Sequence, residues 1–330
     1  MRFAALIITT LLLFAASLFF GAVSIPAGDV ASLLAGEGCA DPALRFIVLD
    51  SRLPQALTAL LAGAGLSLTG LMLQTAFRNP LAGPSVLGIT SGAGLGVAIV
   101  MLLFGGTLTL DNMTIGGYAA SVAGALAGSL AVMAILIAIS SVVKNDLMLL
   151  IAGIMTGYLT SSVVTLLSSL ATARGIQGYV YWGMGTFGDV AMPQIPLFAL
   201  VVGGGIVMSL LLAKPLNILL LGENYAVNLG LNMPLIRCVL LLATGIITAA
   251  VTAYCGPISF IGVAVPHIAR FIFRTDNHRV LMPATLLIGA ATTLACNVVS
   301  TLPESNVIPV NALTALVGVP VVLAVIFRRR

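Results

Sequence analysis

The feature that most constrains this chain is a series of long apolar runs that almost no charge interrupts. Hydrophobic residues make up 60% of its 330 residues and charged residues only 7%, whereas roughly a quarter of the residues of a soluble domain are charged. A helix needs about 20 apolar residues to cross the hydrocarbon layer of a bilayer. Only helices and closed barrels satisfy their backbone hydrogen bonds there, and runs without alternation favour helices. The sequence therefore predicts an all-α polytopic membrane protein.

Charged or Pro/Gly-rich breaks divide the apolar sequence into ten candidate transmembrane helices. They cover residues 3–24, 54–77, 86–104, 115–142, 147–170, 194–213, 235–254, 258–273, 281–300 and 308–327. The eighth is the shortest. The first run could also be a cleaved secretory signal, but it exceeds the roughly 7 to 15 apolar residues typical of one. We therefore favour a retained first span.

The basic residues predict how the chain is oriented. If the N-terminus is cytoplasmic, all but three of the 14 lysines and arginines fall on the cytoplasmic side, and Arg45, Arg52 and Arg174 are the exceptions. This bias follows the positive-inside rule and places both termini in the cytoplasm. The basic residues lie at the ends of apolar runs and form no stripe, so the net charge of +4 does not indicate a nucleic-acid partner.

A short internal similarity points to an inverted repeat. Residues 75–81 (TAFRNPL) follow the second candidate span and residues 252–258 (TAYCGPI) follow the seventh. An offset of five spans would invert the second copy, as in many transporters. The prediction is a repeat of spans 2–5 in spans 7–10, with chance similarity between two apolar stretches as the alternative.

The sequence lacks the groups that other membrane functions need. Ion-coupled carriers use carboxylates, histidines or lysines deep in the membrane, and the interiors of most candidate spans contain none. No nucleophile, metalloprotease or P-loop motif is present, and the four cysteines form no C-x-x-C pair. An ion-coupled carrier and a membrane enzyme therefore remain the weaker alternatives, and no metal site is predicted.

Residues 214–237 form the long polar interruption on the predicted cytoplasmic side. Within them, residues 216–221 are a short apolar turn, Gly222 is a helix breaker, and residues 223–229 can form a second short helix that Gly230 ends. Two short helices across the mouth of a bundle would make a docking surface. An ordinary loop between helices is the alternative.

Several ordered motifs resemble one family of permeases. They are residues 52–54 (RLP), 74–88 (QTAFRNPLAGPSVLG), 221–223 (LGE), 256–262 (GPISFIG) and 266–270 (PHIAR). The chain resembles the FecCD-type permeases, the membrane subunits of type II ABC importers for iron-siderophores, haem and vitamin B12. The resemblance extends over nearly all of residues 1–330, which we expect to form a single permease domain.

The resemblance implies an assembly in a bacterial inner membrane. It implies a homodimer with the translocation path at its interface, two cytoplasmic subunits that bind ATP and Mg, and a periplasmic solute-binding protein. This chain would then need no cofactor and no catalytic residue. We expect it to move an iron-siderophore or haem, with cobalamin as the alternative substrate.

The resemblance also assigns residues to roles. The ATPase-coupling residues would be Leu221, Gly222, Glu223, Ala226, Leu229 and Gly230. Arg52 would dock the binding protein, with Arg45 as a substitute because Gln55 replaces a second basic residue of the family pattern. Glycines and small polar residues either pack helices or line a path. We expect the path or its gate to include Gln74, Asn79, Pro80, Ser91, Gly92 and Thr165.

Overall fold

The computed structural model describes residues 1–36, 41–110, 113–143, 146–302 and 307–328. Over these residues it contains fifteen α-helices and one short β-hairpin. The helices are α1 Arg2–Phe19, α2 Ala27–Ala35, α3 Pro42–Arg45, α4 Leu53–Ala76, α5 Ile89–Ala98, α6 Gly117–Val142, α7 Asp146–Leu170, α8 Ala173–Met184, α9 Ile195–Leu211, α10 Ala213–Leu219, α11 Glu223–Asn228, α12 Met233–Cys255, α13 Ile261–Phe273, α14 His278–Thr301 and α15 Val310–Arg328. The predicted all-helical membrane fold class is confirmed.

Tighter and wider turns interrupt or extend several helices. The π-helical segment Phe46–Arg52 leads directly into α4, and a second one, Ile99–Leu103, extends α5. Short 3₁₀ helices cover Pro84–Leu87 and Met192–Gln194. The hairpin pairs β1 Thr107–Leu110 with β2 Met113–Gly116 in antiparallel register. The apolar pattern predicted none of these short elements.

All ten predicted spans fall on helices, but only seven of those helices are long and apolar enough to cross a membrane within the described ranges. The other three, Ile89–Leu103, Ile261–Phe273 and Val310–Val325, are shorter. At about 1.5 Å per residue, α13 is roughly 20 Å long, which is less than the thickness of a hydrocarbon core. The count of ten membrane crossings therefore remains a prediction.

Contacts between distant segments define two ends of the bundle. At one end, Phe3 at the start of α1 packs against Phe273 at the end of α13, with the rings tilted and their centroids 4.7 Å apart. At the opposite end, the start of α6 lies beside the end of α12, and the hydroxyl of Tyr118 donates to the carbonyl of Tyr254 at 2.9 Å. The start of α15 joins this second end, because the Val310 amide donates to the Gly185 carbonyl. The start of α1 and the far end of α15 therefore lie at the same end of the bundle.

The central helix is α4, which packs against α9, α12, α13 and α14. Its contact with α14 is close, because Gly63 and Gly289 face each other and an added Cβ on either would collide with the other's carbonyl oxygen. Thr293 donates to the Ala59 carbonyl at 2.7 Å, and Ser67 donates to the Thr285 carbonyl at 3.0 Å. Such small-residue packing with interhelical hydrogen bonds is typical of membrane helix pairs. The two helices form one tightly joined unit.

Candidate functional site

The segment between α9 and α12 folds into two short helices at the end of the bundle where the chain begins. A turn centred on Gly222 separates α10 from α11, and Gly222 has φ 116° and ψ 151°, a region that is almost restricted to glycine. Gly230 follows α11 with φ 83°. The side chain of Asn232 then accepts from the Leu235 amide and caps α12. The predicted pair of short helices with glycine breaks is confirmed.

The pair is anchored on one side and exposed on the other. Leu216, Leu219 and Ala226 are buried against the bundle. The outward side chains are large and apolar, and we call them the α10–α11 surface: Leu220, Leu221, Tyr225, Val227 and Leu229, of which Leu221 is 62% and Tyr225 67% exposed. Along the chain, these residues lie beyond the ends of α9 and α12. An exposed apolar cluster of this kind is typical of protein–protein or membrane contacts.

Glu223 ties α11 to the start of α12. Its Oε1 accepts from Nη2 of Arg237 at 2.8 Å, and the two side chains are 37% and 14% exposed. Glu223 is also the first residue of α11, where a negative charge is favoured by the helix dipole. Glu223 is thus a helix-start residue whose carboxylate pairs within the chain.

The loop after α4 reaches the α10–α11 turn. A Cβ added to Gly222 would lie 3.6 Å from Nη2 of Arg78, and Arg78 itself has φ 46°. Farther along this loop, the Pro80 carbonyl accepts from Nε2 of His267 at 2.8 Å. Asn79 accepts from the Leu81 amide at 2.9 Å and so stabilises the turn.

Gln74 joins α4 to α13 rather than lining an open passage. Its Nε2 donates to the Val263 carbonyl at 3.0 Å, and its Oε1 accepts from Nη1 of Arg270 at 2.6 Å. The side chain is buried. In this conformation the predicted path residues Gln74 and Pro80 therefore contact α13, while Asn79 stabilises the loop after α4.

The other predicted path residues are spread along α5 and α7. Ser91 lines a cavity of about 200 Å³ with the hydroxyl-bearing residues Thr90, Thr160, Ser161 and Tyr179. Gly92 is instead packed against α6, where an added Cβ would collide with the Gly128 carbonyl. Thr165 is exposed, and its hydroxyl donates to the Ser161 carbonyl within α7 at 3.0 Å. The expected path residues do not form one cluster within this protomer.

Arg52 is buried, although the sequence predicted that it would dock the binding protein. The side chain is only 5% exposed, and its guanidinium donates to the carbonyls of Leu18 at 2.9 Å and Phe19 at 3.0 Å. It also donates to the Val23 carbonyl. The charge therefore caps the end of α1 and is not offered to a partner in this conformation. Arg45, in contrast, is exposed at the end of α3.

Sequence reasoning missed a wider cavity at the opposite end of the bundle. Its volume is about 780 Å³, and its walls include the aromatic residues Tyr118, Tyr181 and Trp182 together with Asp189 and Gln194. Burial raises the pKa of the Asp189 carboxyl above its usual range. The only local signal was the aromatic group at 179–182. Its partners come from α6 and from the segments beside α9 and α15, so no single motif describes the cavity.

Comparisons with known proteins agree with this architecture. The vitamin B12 import system permease protein BtuC of Klebsiella pneumoniae subsp. pneumoniae is 35% identical over 326 residues, which cover 98% of this chain and 92% of the relative. BtuC of Salmonella typhi is 36% identical over 277 residues, 84% of this chain and 82% of the relative. The inward-facing structure of a proposed metal-chelate type ABC transporter superposes with a TM-score of 0.85 at 28% identity and covers 99% of both chains. The model of the FecCD transport family matches residues 8–328, and the chain therefore belongs to the FecCD transport family.

Proposed function

We propose that this chain is the permease subunit through which an ATP-driven importer moves a corrinoid such as vitamin B12 across a bacterial inner membrane. The single observation that carries the substrate class is the match over 98% of the chain to a vitamin B12 import permease. The motifs alone favoured an iron-siderophore or haem, with cobalamin second. The relatives favour cobalamin over both. The motifs could not make this choice, because a shared family motif does not distinguish among metal chelates of similar size.

The α10–α11 surface is the proposed contact for the ATP-binding subunits. A permease needs such a contact, because movement driven by ATP must come from a partner that binds two conformations differently. The exposed Leu221, Tyr225 and Leu229 would contact that partner, while the buried Ala226 holds α11 to the bundle. ATP and Mg would be bound by the partner, and this chain would need no cofactor.

The remaining parts of the assembly follow from the same proposal. Two copies of the chain would enclose the path, with the cavity beside Asp189 near its outer mouth. A periplasmic binding protein would dock at that end, where Arg45 offers an exposed positive charge. The α10–α11 surface and both chain termini would face the cytoplasm, in agreement with the distribution of basic residues.

The test is reconstitution with the ATP-binding and binding-protein subunits in lipid vesicles. We expect cyanocobalamin to stimulate ATP hydrolysis and to be taken up, whereas haem and a ferric siderophore at the same concentration do neither. Stimulation by the siderophore or haem alone would reject the corrinoid and retain the importer. Uptake that needs no ATP-binding subunit and follows an ion gradient would reject the importer.

A further inference from the structure

A chain of side-chain hydrogen bonds connects α10 to the end of α4 through the first residue of α14. Nδ2 of Asn217 in α10 donates to Oδ1 of Asn277 at 2.9 Å. Oδ1 of Asn217 accepts from the backbone amide of His278 at 2.8 Å and lies 3.0 Å from Nδ1 of the same residue. On the other side of the imidazole, Nε2 lies 2.8 Å from Oγ1 of Thr75. We call this the Asn217–His278–Thr75 link.

The chemistry of the donors fixes the direction of the bonds between Asn217 and His278. A backbone amide only donates, so the amide oxygen of Asn217 must be the atom that faces His278. An amide oxygen only accepts, so Nδ1 of His278 must carry a proton and donate to it. His278 is 1% and Thr75 5% exposed. The Leu71 carbonyl of the same helix also lies 3.0 Å from the Thr75 hydroxyl, and the single hydroxyl proton can go to only one of this carbonyl and Nε2 of His278. Because Nε2 is buried, loss of the Thr75 hydroxyl leaves this ring nitrogen without its partner in the link.

The link ends on the closely packed α4–α14 pair. Thr75 lies one residue before the end of α4, and His278 begins α14. These two helices are joined along their length by the Gly63–Gly289 contact and by the hydrogen bonds of Ser67 and Thr293. A displacement of α10 would therefore be passed to α4 and α14 together.

Apolar packing alone would hold α10 less specifically. Leu216 and Leu219 bury their side chains against the bundle, but such contacts are non-directional and tolerate sliding of one helix on another. Three hydrogen bonds at Asn217 and one at Thr75 fix the register between α10 and the α4–α14 pair. Asn217 and His278 are about 60 residues apart in the sequence. The link therefore connects α10 directly to α14, which the backbone between them does not do.

We propose that Asn217, His278 and Thr75 are positioning residues that transmit movement of the α10–α11 surface to the α4–α14 pair during transport. This inference rests on the proposed function, since it needs a partner that moves the surface. It assigns the transmission to three side chains that contact neither substrate nor ATP. Their loss should change how much substrate moves for each ATP hydrolysed, rather than abolish hydrolysis.

The experiment measures cyanocobalamin uptake and ATP hydrolysis in the same vesicles, with the complete complex. Thr75→Val keeps the shape of the side chain and removes its hydroxyl. We expect the uptake per ATP to fall about threefold or more, as expected for the loss of a buried hydrogen bond. Thr75→Ser keeps the hydroxyl and should retain the wild-type ratio.

A matched control and a second variant separate transmission from stability. Thr69 is also buried in α4, and among the described residues its hydroxyl donates to the Leu66 carbonyl of its own helix at 2.7 Å. Thr69→Val therefore removes a bond within α4, as Thr75→Val does at Leu71, but it leaves the link intact and should leave the ratio unchanged. Asn217→Ala breaks the same link from the less buried side, and the double variant with Thr75→Val should be no worse than either single variant.

Specific outcomes would overturn the inference. A wild-type ratio in both Thr75→Val and Asn217→Ala would reject the link as a route of transmission. An equal fall in uptake per ATP in Thr69→Val, or a ratio in Thr75→Ser as low as in Thr75→Val, would show that Thr75 has only a structural role. If the wild-type complex itself shows no ATP-dependent uptake of cyanocobalamin, the proposed function is rejected, and the inference that rests on it is rejected too.

Discussion

At the residue scale, Arg52 uses its charge to cap the end of α1. The substitution Arg52→Gln removes the donors that satisfy the carbonyls of Leu18, Phe19 and Val23. We expect the free energy of unfolding to fall by about 1.5–3 kcal/mol, the range for hydrogen bonds to a charged group. Thermal unfolding in detergent micelles measures this loss.

Arg45→Gln is the matched control, because Arg45 is exposed and surface substitutions usually change stability by less than about 0.5 kcal/mol. The same two variants can be compared for affinity toward the binding protein. If Arg52→Gln kept wild-type stability and weakened only that affinity, the docking role predicted from the sequence would be correct and the capping role would be wrong.

The position of Arg52 illustrates what local sequence cannot provide. The RLP motif looks the same whether its arginine faces a partner or the protein interior. The carbonyls that accept from Arg52 lie about 30 residues earlier in the chain, so the choice depends on how α1 packs on α4. Gln74 gives the same lesson, since its partners Val263 and Arg270 lie far along the sequence on α13.

At the scale of elements, the apolar runs predicted the long helices well because membrane length and backbone satisfaction leave few alternatives. The short helices α10 and α11 were predicted from glycine breaks alone. The sequence did not indicate the π-helical segments before α4 and after α5, the β-hairpin or the cavity beside Asp189. The cavity depends on contacts between distant segments, whereas the other three are short local elements that an apolar pattern does not distinguish. The role proposed for the α10–α11 surface came from the family resemblance.

The turn between α10 and α11 provides a test of that surface. Gly222 has φ 116° and ψ 151°, so Gly222→Ala should cost about 1–3 kcal/mol locally and shift α11 relative to α10. We expect less ATP-dependent uptake while the variant still folds and still purifies as wild type does. Uptake and ATP hydrolysis measured together in vesicles report this change.

Gly204→Ala is the control for this substitution, because Gly204 lies within α9 and an added Cβ would meet nothing within 4 Å. It should leave uptake unchanged. Normal uptake and normal binding of the ATP-binding subunit in Gly222→Ala would show that the geometry of this turn does not matter for coupling, and α10–α11 would then be an ordinary connection between spans.

At the scale of the whole molecule, contacts place functional segments at two opposite ends. One end holds the α10–α11 pair, Arg78, the end of α13 and the start of α14. The other holds the exposed Arg45 and the cavity beside Asp189. Among the described residues, Arg78, Arg237, Arg270 and Arg279 lie at the first end, and the positive-inside rule assigns all four to the cytoplasm. Packing thus groups these residues at one end, and their charge predicts that this end faces the cytoplasm.

Site-directed labelling tests this orientation in intact cells. In a cysteine-free background, Tyr225→Cys should react with a membrane-impermeant maleimide only after the inner membrane is opened, whereas Arg45→Cys should react as soon as the periplasm is accessible. Both positions are exposed, so access rather than burial decides the result. Because Tyr225 and Arg45 lie at opposite ends of the bundle, labelling of both from one side would contradict the fold itself. Reversed labelling would keep the fold but place the α10–α11 surface outside the cytoplasm, where no ATP-binding subunit could reach it.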